Sequence, residues 1–355
     1  MTIQLHAFSE NLDKHTDTIV DIWNAACPDE LPISPKLVNY NVTPSDEIRQ
    51  NCCLAIDDAN QPVGFILASH FVTYNAIFAA FESPNQGLID AMGVHPDAQR
   101  KGVGTALLTW AETWLQERGC QQIRLGGSLR PFAPGLPVEF DGKLGSGQFF
   151  EQHGYQTQST TWDVMSNVAM YTTSSSVRAI AGVARPARKR DKNALLNFLQ
   201  REFPGRWHYE CDRFLAEGGR ISDYMLLWAE TGKTETGEAD DLTVQGFCQL
   251  TFEDSYRPIE RFYPYTLPRP WGQLGPIGVS KAARGQGYAA ALIDASMRRF
   301  FNNGINGCVI DWTDLLDFYA KFGFGQYREY QMRMKELKVE SGELKVESGE
   351  LKVEN

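Results

Sequence analysis

Two segments of this chain offer the same chemistry 185 positions apart, Gly102 matching Gly287. The first reads Val94-His-Pro-Asp-Ala-Gln99-Arg100-Lys101-Gly102-Val-Gly104-Thr105. The second reads Val279-Ser-Lys-Ala-Ala-Arg284-Gly285-Gln-Gly287-Tyr288-Ala289. Each leaves an apolar, strand-like run, makes a short turn and enters a helix through a Gln/Arg-x-x-Gly-x-Gly/Ala step. The first N–H groups of a helix lack intrahelical partners and carry the positive end of its dipole, so such a step holds a phosphate by several donors at once. Gly102 and Gly287 let an anion approach the main chain and permit φ > 0, while Arg100, Lys101 and Arg284 can add charge-assisted contacts. Neither loop continues into the Gly-Lys-Ser/Thr of a P-loop, and neither has the three-glycine spacing of a dinucleotide fingerprint. The pair reads as two pyrophosphate seats.

Each seat is followed by an aromatic element, Phe149-Phe-Glu-Gln-His-Gly-Tyr155 in the first half and Phe318-Tyr-Ala-Lys-Phe-Gly-Phe324 in the second. With these in the same order twice, residues 1–334 resemble two consecutive copies of the GNAT superfamily of acyl-CoA-dependent N-acyltransferases, with the layout of tandem members such as mycothiol synthase. The resemblance implies an α/β fold in which each copy is a central mixed sheet flanked by helices. It implies acetyl-CoA as cosubstrate and direct attack by an amine. It places the cofactor on Met92, Val94, Gln99, Arg100, Lys101, Gly102, Gly104 and Thr105, and on Ile277, Val279, Arg284, Gly285, Gly287, Tyr288 and Ala289. The strand residues would pair with pantetheine like an added strand, and the loops would take the pyrophosphate.

The resemblance also separates the halves. In its Phe-Tyr-x-x-x-Gly-Phe pattern the Tyr hydroxyl faces the CoA sulfur and protonates the leaving thiolate; that position is Tyr319 in the second half and Phe150, which has no proton to give, in the first. The second half is therefore expected to be catalytic and the first a degenerate copy. Two departures stand out: Trp312 replaces an Asn often found before the Phe-Tyr pair, and Gly272–Val279 carries no carboxylate where a Glu base is common. Candidate bases are Glu253, Asp254, Asp311, Asp314, Glu202, His208 and Glu210, with water relays as the alternative.

Two loops could meet an acceptor, Arg201–Glu210 and Leu129–Glu139. Their aromatics, interleaved with Arg, Glu and His, suit a sugar ring or a polar amine. The acceptor is expected to be a small primary amine, an amino sugar first, an aminoglycoside-like molecule or a polyamine next. The rival reading is a non-catalytic acyl-CoA-binding sensor or scaffold.

Composition bounds the rest. A chain of 355 residues with 43% hydrophobic content can bury two cores. A formal charge of −10 and no cluster of Lys and Arg argue against nucleic acid. The seven cysteines show no Cys-x-x-Cys pair, which points to reduced thiols of a cytoplasmic protein and to no metal. No apolar run approaches the ~18 residues of a membrane span. The internal duplication suits a monomer with an internal pseudo-dimer, or a homodimer.

The elements that must position these residues follow the same order twice. The first domain, residues 1–169, reads as strand Thr2–Phe8, helices His15–Ala26 and Pro35–Gln50, strands Cys52–Ile56, Val63–Tyr74 and Leu88–Val94, helix Gly102–Arg118, strand Gln122–Leu125, helix Ser146–His153 and strand Gln156–Met165. A Ser/Thr-rich linker, 170–176, leads to the second domain, 177–334. This reads as strand Val177–Ala184, helices Arg188–Phe203 and Tyr209–Glu217, strands Tyr224–Ala229, Leu242–Phe252 and Gly272–Val279, helix Gly287–Phe301, strand Cys308–Asp311, helix Asp314–Phe322 and strand Gln326–Arg333. Residues 335–355 repeat Glu-Leu-Lys-Val-Glu with Gly in the period, which a helix resists, and read as a disordered tail.

Overall fold

A computed structural model describes residues 2–43, 46–72, 83, 85–126, 132–173, 175–180, 183–229, 242–257, 259 and 266–337. The repetitive tail from 338, residues 129–131 of the first acceptor loop, and Tyr74 at the expected strand end lie outside the described residues. The first half contains β1 (Ile3–Phe8), α1 (Thr16–Ala26), α2 (Pro35–Val42), β2 (Ile48–Asp57), β3 (Pro62–Phe71), β4 (Gln86–Val94), α3 (Val103–Gln116), β5 (Gln122–Leu125), β6 (Leu136–Pro137), α4 (Asp141–Leu144), α5 (Ser146–Gln152) and β7 (Gln156–Asn167). The second contains α6 (Ser175–Arg178), β8 (Ala184–Pro186), α7 (Lys192–Glu202), α8 (Arg206–Ala216), β9 (Tyr224–Ala229), β10 (Thr243–Thr251), β11 (Trp271–Val279), α9 (Tyr288–Asn302), β12 (Gly307–Thr313), α10 (Leu316–Ala320) and β13 (Gly325–Glu336).

Alternation along the strands builds a core on each face of the first-half sheet. Leu54, Phe65 and Leu67 pack with Ile19, Ile22 and Trp23 of α1, whereas Cys53, Ile66 and Ala68 pack with Leu107, Leu108, Ala111 and Leu115 of α3. Each fully buried Leu contributes roughly 2 kcal/mol. The second half repeats this, with α9 on one face and α7 and α8 on the other.

Two expected elements differ. The helix from Pro35 ends at Val42 rather than Gln50, because Thr43 precedes Pro44 and a residue before proline is pushed out of the helical region. The strand expected at Val177–Ala184 is a short helix and turn, with a strand only from Ala184. Val177, Ile180 and Val183 recur every third residue and turn one face onto the second-half core.

The halves do not keep separate sheets. A single sheet runs β1-β2-β3-β4-β5-β13-β7-β12-β11-β10-β9-β8, with β6 on β13. The last strand of each half has crossed into the other. β13 pairs with β5 from Met334↔Arg124 to Glu336↔Gln122, and β7 pairs with β12 from Gly307↔Asn167 to Thr313↔Trp162, with a break in register after Ile310. The exchanged strands then pair with each other from Gly325↔Met165 to Met334↔Gln156. Each covers an edge that β5 or β12 would otherwise expose. β7, expected to close the first unit, therefore lies beside the second.

Candidate active site

Among the described residues, the one parallel pair in each half opens like a wedge. β4 and β5 pair only from Gln86↔Gln122 to Ile89↔Leu125, although β4 runs on to Val94. β11 and β12 pair only from Trp271↔Gly307 to Gln273↔Val309, although β11 runs on to Val279. Beyond these pairs β4 and β11 keep their antiparallel neighbours, β3 and β10, but have no ladder partner on the β5 or β12 side among the described residues, and each leads into its glycine loop.

The loops share one backbone form. Arg100 (φ 59°) and Gly102 (φ 84°) match Gly285 (φ 80°) and Gly287 (φ 78°), all in the left-handed region. Gln99 Nε2 donates to the Val94 carbonyl at 3.0 Å, tying loop to strand end. Lys101 Nζ donates to the Asp97 carbonyl at 2.7 Å and so lies along the turn. A Cβ on Gly102 would meet nothing within 4 Å, and one on Gly104 would come within 3.3 Å of Met92 and 3.4 Å of Phe149. Open main chain at Gly102 beside a close-packed Gly104 fits a pyrophosphate seat.

In the first half one cavity of about 530 Å³ is bordered both by residues of this loop and its strand, Gln99, Arg100, Gly102, Gly104, Met92 and Val94, and by Asp90, Trp23 and Phe150. His153 Nδ1 donates to the Phe149 carbonyl at 2.8 Å, so its Nε2 accepts from Thr105 Oγ1 at 3.2 Å. Asp90 is buried; it accepts from Gln50 Nε2 at 2.7 Å and from Ser69 Oγ at 3.0 Å.

The second half holds a cavity of about 380 Å³ at the corresponding place. Asp90, Met92, Leu125 and Gly126 on the first cavity correspond, 185 positions on, to Gly275, Ile277, Ile310 and Asp311 on the second. Tyr319 borders it with Trp312, Asp314 and Leu315. This cavity does not extend to its glycine loop. Arg284, Gly285 and Gly287 are exposed, Val279 lies in the core, and Tyr288 and Ala289 pack against that core together with Ile180 and Val183. Ile180 Cδ1 is 2.9 Å from where a Gly287 Cβ would stand.

Tyr319 is 4% exposed, with its ring 5.2 Å from Phe318 and 6.0 Å from Phe324. Burial pushes its hydroxyl pKa up, and Cys248, Asp311 and Asp314 add to the effect. Such a phenol keeps its proton until a strong base forms beside it. Phe150 takes the equivalent place in the first half, packed edge-on to Tyr155 at 5.4 Å.

Among the candidate bases, Asp311, Asp314 and Glu210 border the second cavity. Glu210 is paired with Arg206 at 2.8 Å. Asp254 is held by Arg220 at 2.8 and 3.0 Å, which lowers its pKa. Glu202 accepts from the Lys281 N–H at 3.0 Å, beside the loop, and Glu253 faces Arg269 at 3.6 Å. His208 does not border the cavity.

Three contributions were not visible in sequence. Tyr40 and Asn41 of α2 reach from the first half to border the second cavity. Arg257 joins them, beside Trp207 of the expected acceptor loop Arg201–Glu210, and the Arg257 guanidinium donates to the Glu210 carbonyl at 3.1 Å. Asp163 of β7 is fully buried; it accepts from the Trp312 N–H at 3.0 Å and from the Tyr330 hydroxyl at 2.7 Å. The one visible signal was a carboxylate inside an otherwise uncharged strand.

A family model described as Acetyltransferase (GNAT) family matches residues 16–129 and 192–324. No curated protein matches the sequence. Among solved structures, the chain is similar to the GCN5-related glucosamine N-acetyltransferase region of a fungal multi-domain GH3 β-N-acetylglucosaminidase, with a TM-score of 0.76 and 20% identity. That match covers 94% of this chain and spans only 38% of the fungal one. It is similar to a GCN5-related N-acetyltransferase from Sphaerobacter thermophilus at a TM-score of 0.62 and 18% identity, covering 94% of this chain and 95% of that one. A tandem GNAT protein from the clavulanic acid biosynthesis pathway gives 0.61 and 12%, covering 94% and 98%. At these identities the likeness is one of fold.

Proposed function

The chain belongs to the acetyltransferase (GNAT) family, and on that premise we propose that it moves the acetyl group of acetyl-CoA to the primary amine of a small molecule, an amino sugar first. The observation that carries this reading is the second cavity, which Tyr319, Asp311 and the end of β11 at Gly275–Ile277 all border.

Bound there, acetyl-CoA supplies an activated acyl group with a thiolate leaving group. The side of β11 that no longer pairs with β12 beyond Gln273 would align the pantetheine arm, and the Arg284–Gly287 turn would offer N–H groups to its phosphates. Tyr319 gives its proton to the departing sulfur. The indoles of Trp207 and Trp312 suit the apolar face of a sugar ring, while Asp311 and Asp314 suit an ammonium group. The fungal neighbour's description as a glucosamine N-acetyltransferase region supports the same class of acceptor. Because each half completes the other's sheet, one chain supplies both halves of the site without a second copy.

A second reading, a non-catalytic acyl-CoA sensor, is favoured by the first cavity, which its glycine loop and its strand both border but which has Phe150 in its wall. Release of CoA thiol is the test, measured against glucosamine, glucosaminides, polyamines and aminoglycosides. Turnover with one class of amine, lost in Tyr319→Phe, supports the enzyme. Saturable acetyl-CoA binding with no release against any amine supports the sensor.

A further inference from the structure

The two halves place their carboxylates on different strands. In the first, Asp90 stands on β4 where the wedge opens, and Gly126 follows β5. In the second the types are exchanged: β11 has Gly275 and β12 has Asp311. A Cβ built on Gly275 would lie 3.6 Å from Asp311 Oδ1. The carboxylate has crossed to the neighbouring strand and reaches the space that a side chain on β11 would fill. Gly275 has φ 148°, which an L side chain rarely adopts, so β11 itself could not supply the group without strain.

A bulge makes the crossing work. Ile310 pairs with Val164 and Thr313 with Trp162, so Asp311 and Trp312 together stand opposite Asp163. In a regular strand successive residues face opposite sides; the extra residue lets both border the same cavity. The Asp163 bond to the Trp312 N–H holds that geometry.

We propose that Asp311 is the base of the second half and receives the proton that the acceptor nitrogen gives up, an assignment that rests on the reading of the second half as catalytic. The acceptor N–C bond forms as the C–S bond breaks. One N–H proton passes to the Asp311 carboxylate, and the Tyr319 proton passes to the CoA sulfur. Proton return from the Asp311 carboxyl to the Tyr319 phenolate restores both groups, leaving the amide and the free thiol. The other ionisable groups around Asp311 are differently engaged. Asp163 on β7 is bonded to Tyr330 and Trp312, Glu210 and Arg206 on α8 are paired, Arg257 is bonded to α8, and Asp314, which borders the same cavity, follows the end of β12 and stands outside the bulge.

The test is acetyl transfer from acetyl-CoA to glucosamine, read as CoA thiol against pH, for the full chain and for Asp311→Asn, Asp311→Ala and Tyr319→Phe. The expected result is a fall in kcat of about 100-fold or more in Asp311→Asn with acetyl-CoA KM unchanged. The loss should narrow at high pH, where hydroxide can take the N–H proton in place of the carboxylate, and added formate should restore part of the rate to Asp311→Ala. A wild-type rate and pH profile in Asp311→Asn, with Tyr319→Phe impaired, would overturn the assignment of Asp311 alone. Indifference of both variants would overturn the catalytic reading of the second half, and Asp311 with it. No turnover of glucosamine by the unaltered protein would remove the acceptor reading and the proposal together.

Discussion

Asp163 Oδ1 accepts the backbone N–H of Trp312 at 3.0 Å, so a carboxylate on the last strand of the first half fixes the bulge that borders the second cavity. Strand exchange makes this contact possible, since β7 lies against β12 only because it has left its own half. The bond ties site geometry to the union of the halves.

Burial pushes the Asp163 carboxyl up to about 7, with Asp311 adding to the rise and Tyr330, Trp312 and Arg328 opposing it. The ordinary value is 3.8. Between about pH 4 and 7 the folded chain therefore holds a proton that the unfolded chain has released, and this group's contribution to stability falls as pH rises through that window. The slope is at most about 1.4 kcal/mol per pH unit. Relative to Asp163→Asn, which has no such titration, the unaltered protein should lose melting temperature on going from pH 4 to 7. Parallel profiles for the two proteins would show that another group titrates.

Trp312 sits in the left-handed region at φ 56°, an uncommon place for a bulky residue, with the Arg206 guanidinium 5.1 Å from its ring. Trp312→Ala and Trp312→Gly both remove the aromatic wall and should raise the acceptor KM about 5- to 10-fold. The glycine variant relieves the backbone strain and should be the more stable of the two by about 1 kcal/mol. Thermal melts separate the backbone effect from the side-chain effect, because only the second appears in KM.

The glycine turns and the helix faces were legible because each depends on local spacing, whereas Tyr319 was singled out through the family resemblance. Val103, Leu107, Leu108, Ala111 and Leu115 had to share a face of α3, and all are buried. The strand exchange was not legible. Gln156–Asn167 alternates in the same way whichever edge it joins, and pairing between β7 and β12 spans about 150 positions with no local signature. For the same reason the sequence named Asp311 only as one of seven candidate bases. Its distance to Gly275 depends on a bulge whose partner, Asp163, comes from the other half. Tyr40 was missed likewise, since α2 belongs by sequence to the first half.

Ile180 packs where a Gly287 Cβ would stand, and its neighbours Val177 and Val183 pack on the same core. If phosphates bind the second loop, this side chain crowds their approach. Ile180→Ala should lower the acetyl-CoA KM several-fold and leave kcat unchanged, since Ile180 does not border the cavity at Tyr319. An unchanged KM would mean that the second loop does not meet the cofactor from that side.

Whether both seats are used is a question of stoichiometry, and the two glycine loops make it answerable. Both have the same left-handed turn at a helix start, so the unaltered chain should bind two equivalents of acetyl-CoA by calorimetry. Gly104→Val drives a side chain toward Met92 and Phe149, which a Cβ alone would already approach at 3.3 and 3.4 Å, and should lose one equivalent. Tyr319→Phe changes neither loop, so it should keep both equivalents while kcat falls by about 100-fold or more. Loss of turnover in Gly104→Val with a normal rate in Tyr319→Phe would move the chemistry to the first cavity, where Asp90 is the carboxylate at the wedge. The position of the carboxylate, on β4 in one half and on β12 in the other, would then mark which copy kept the reaction.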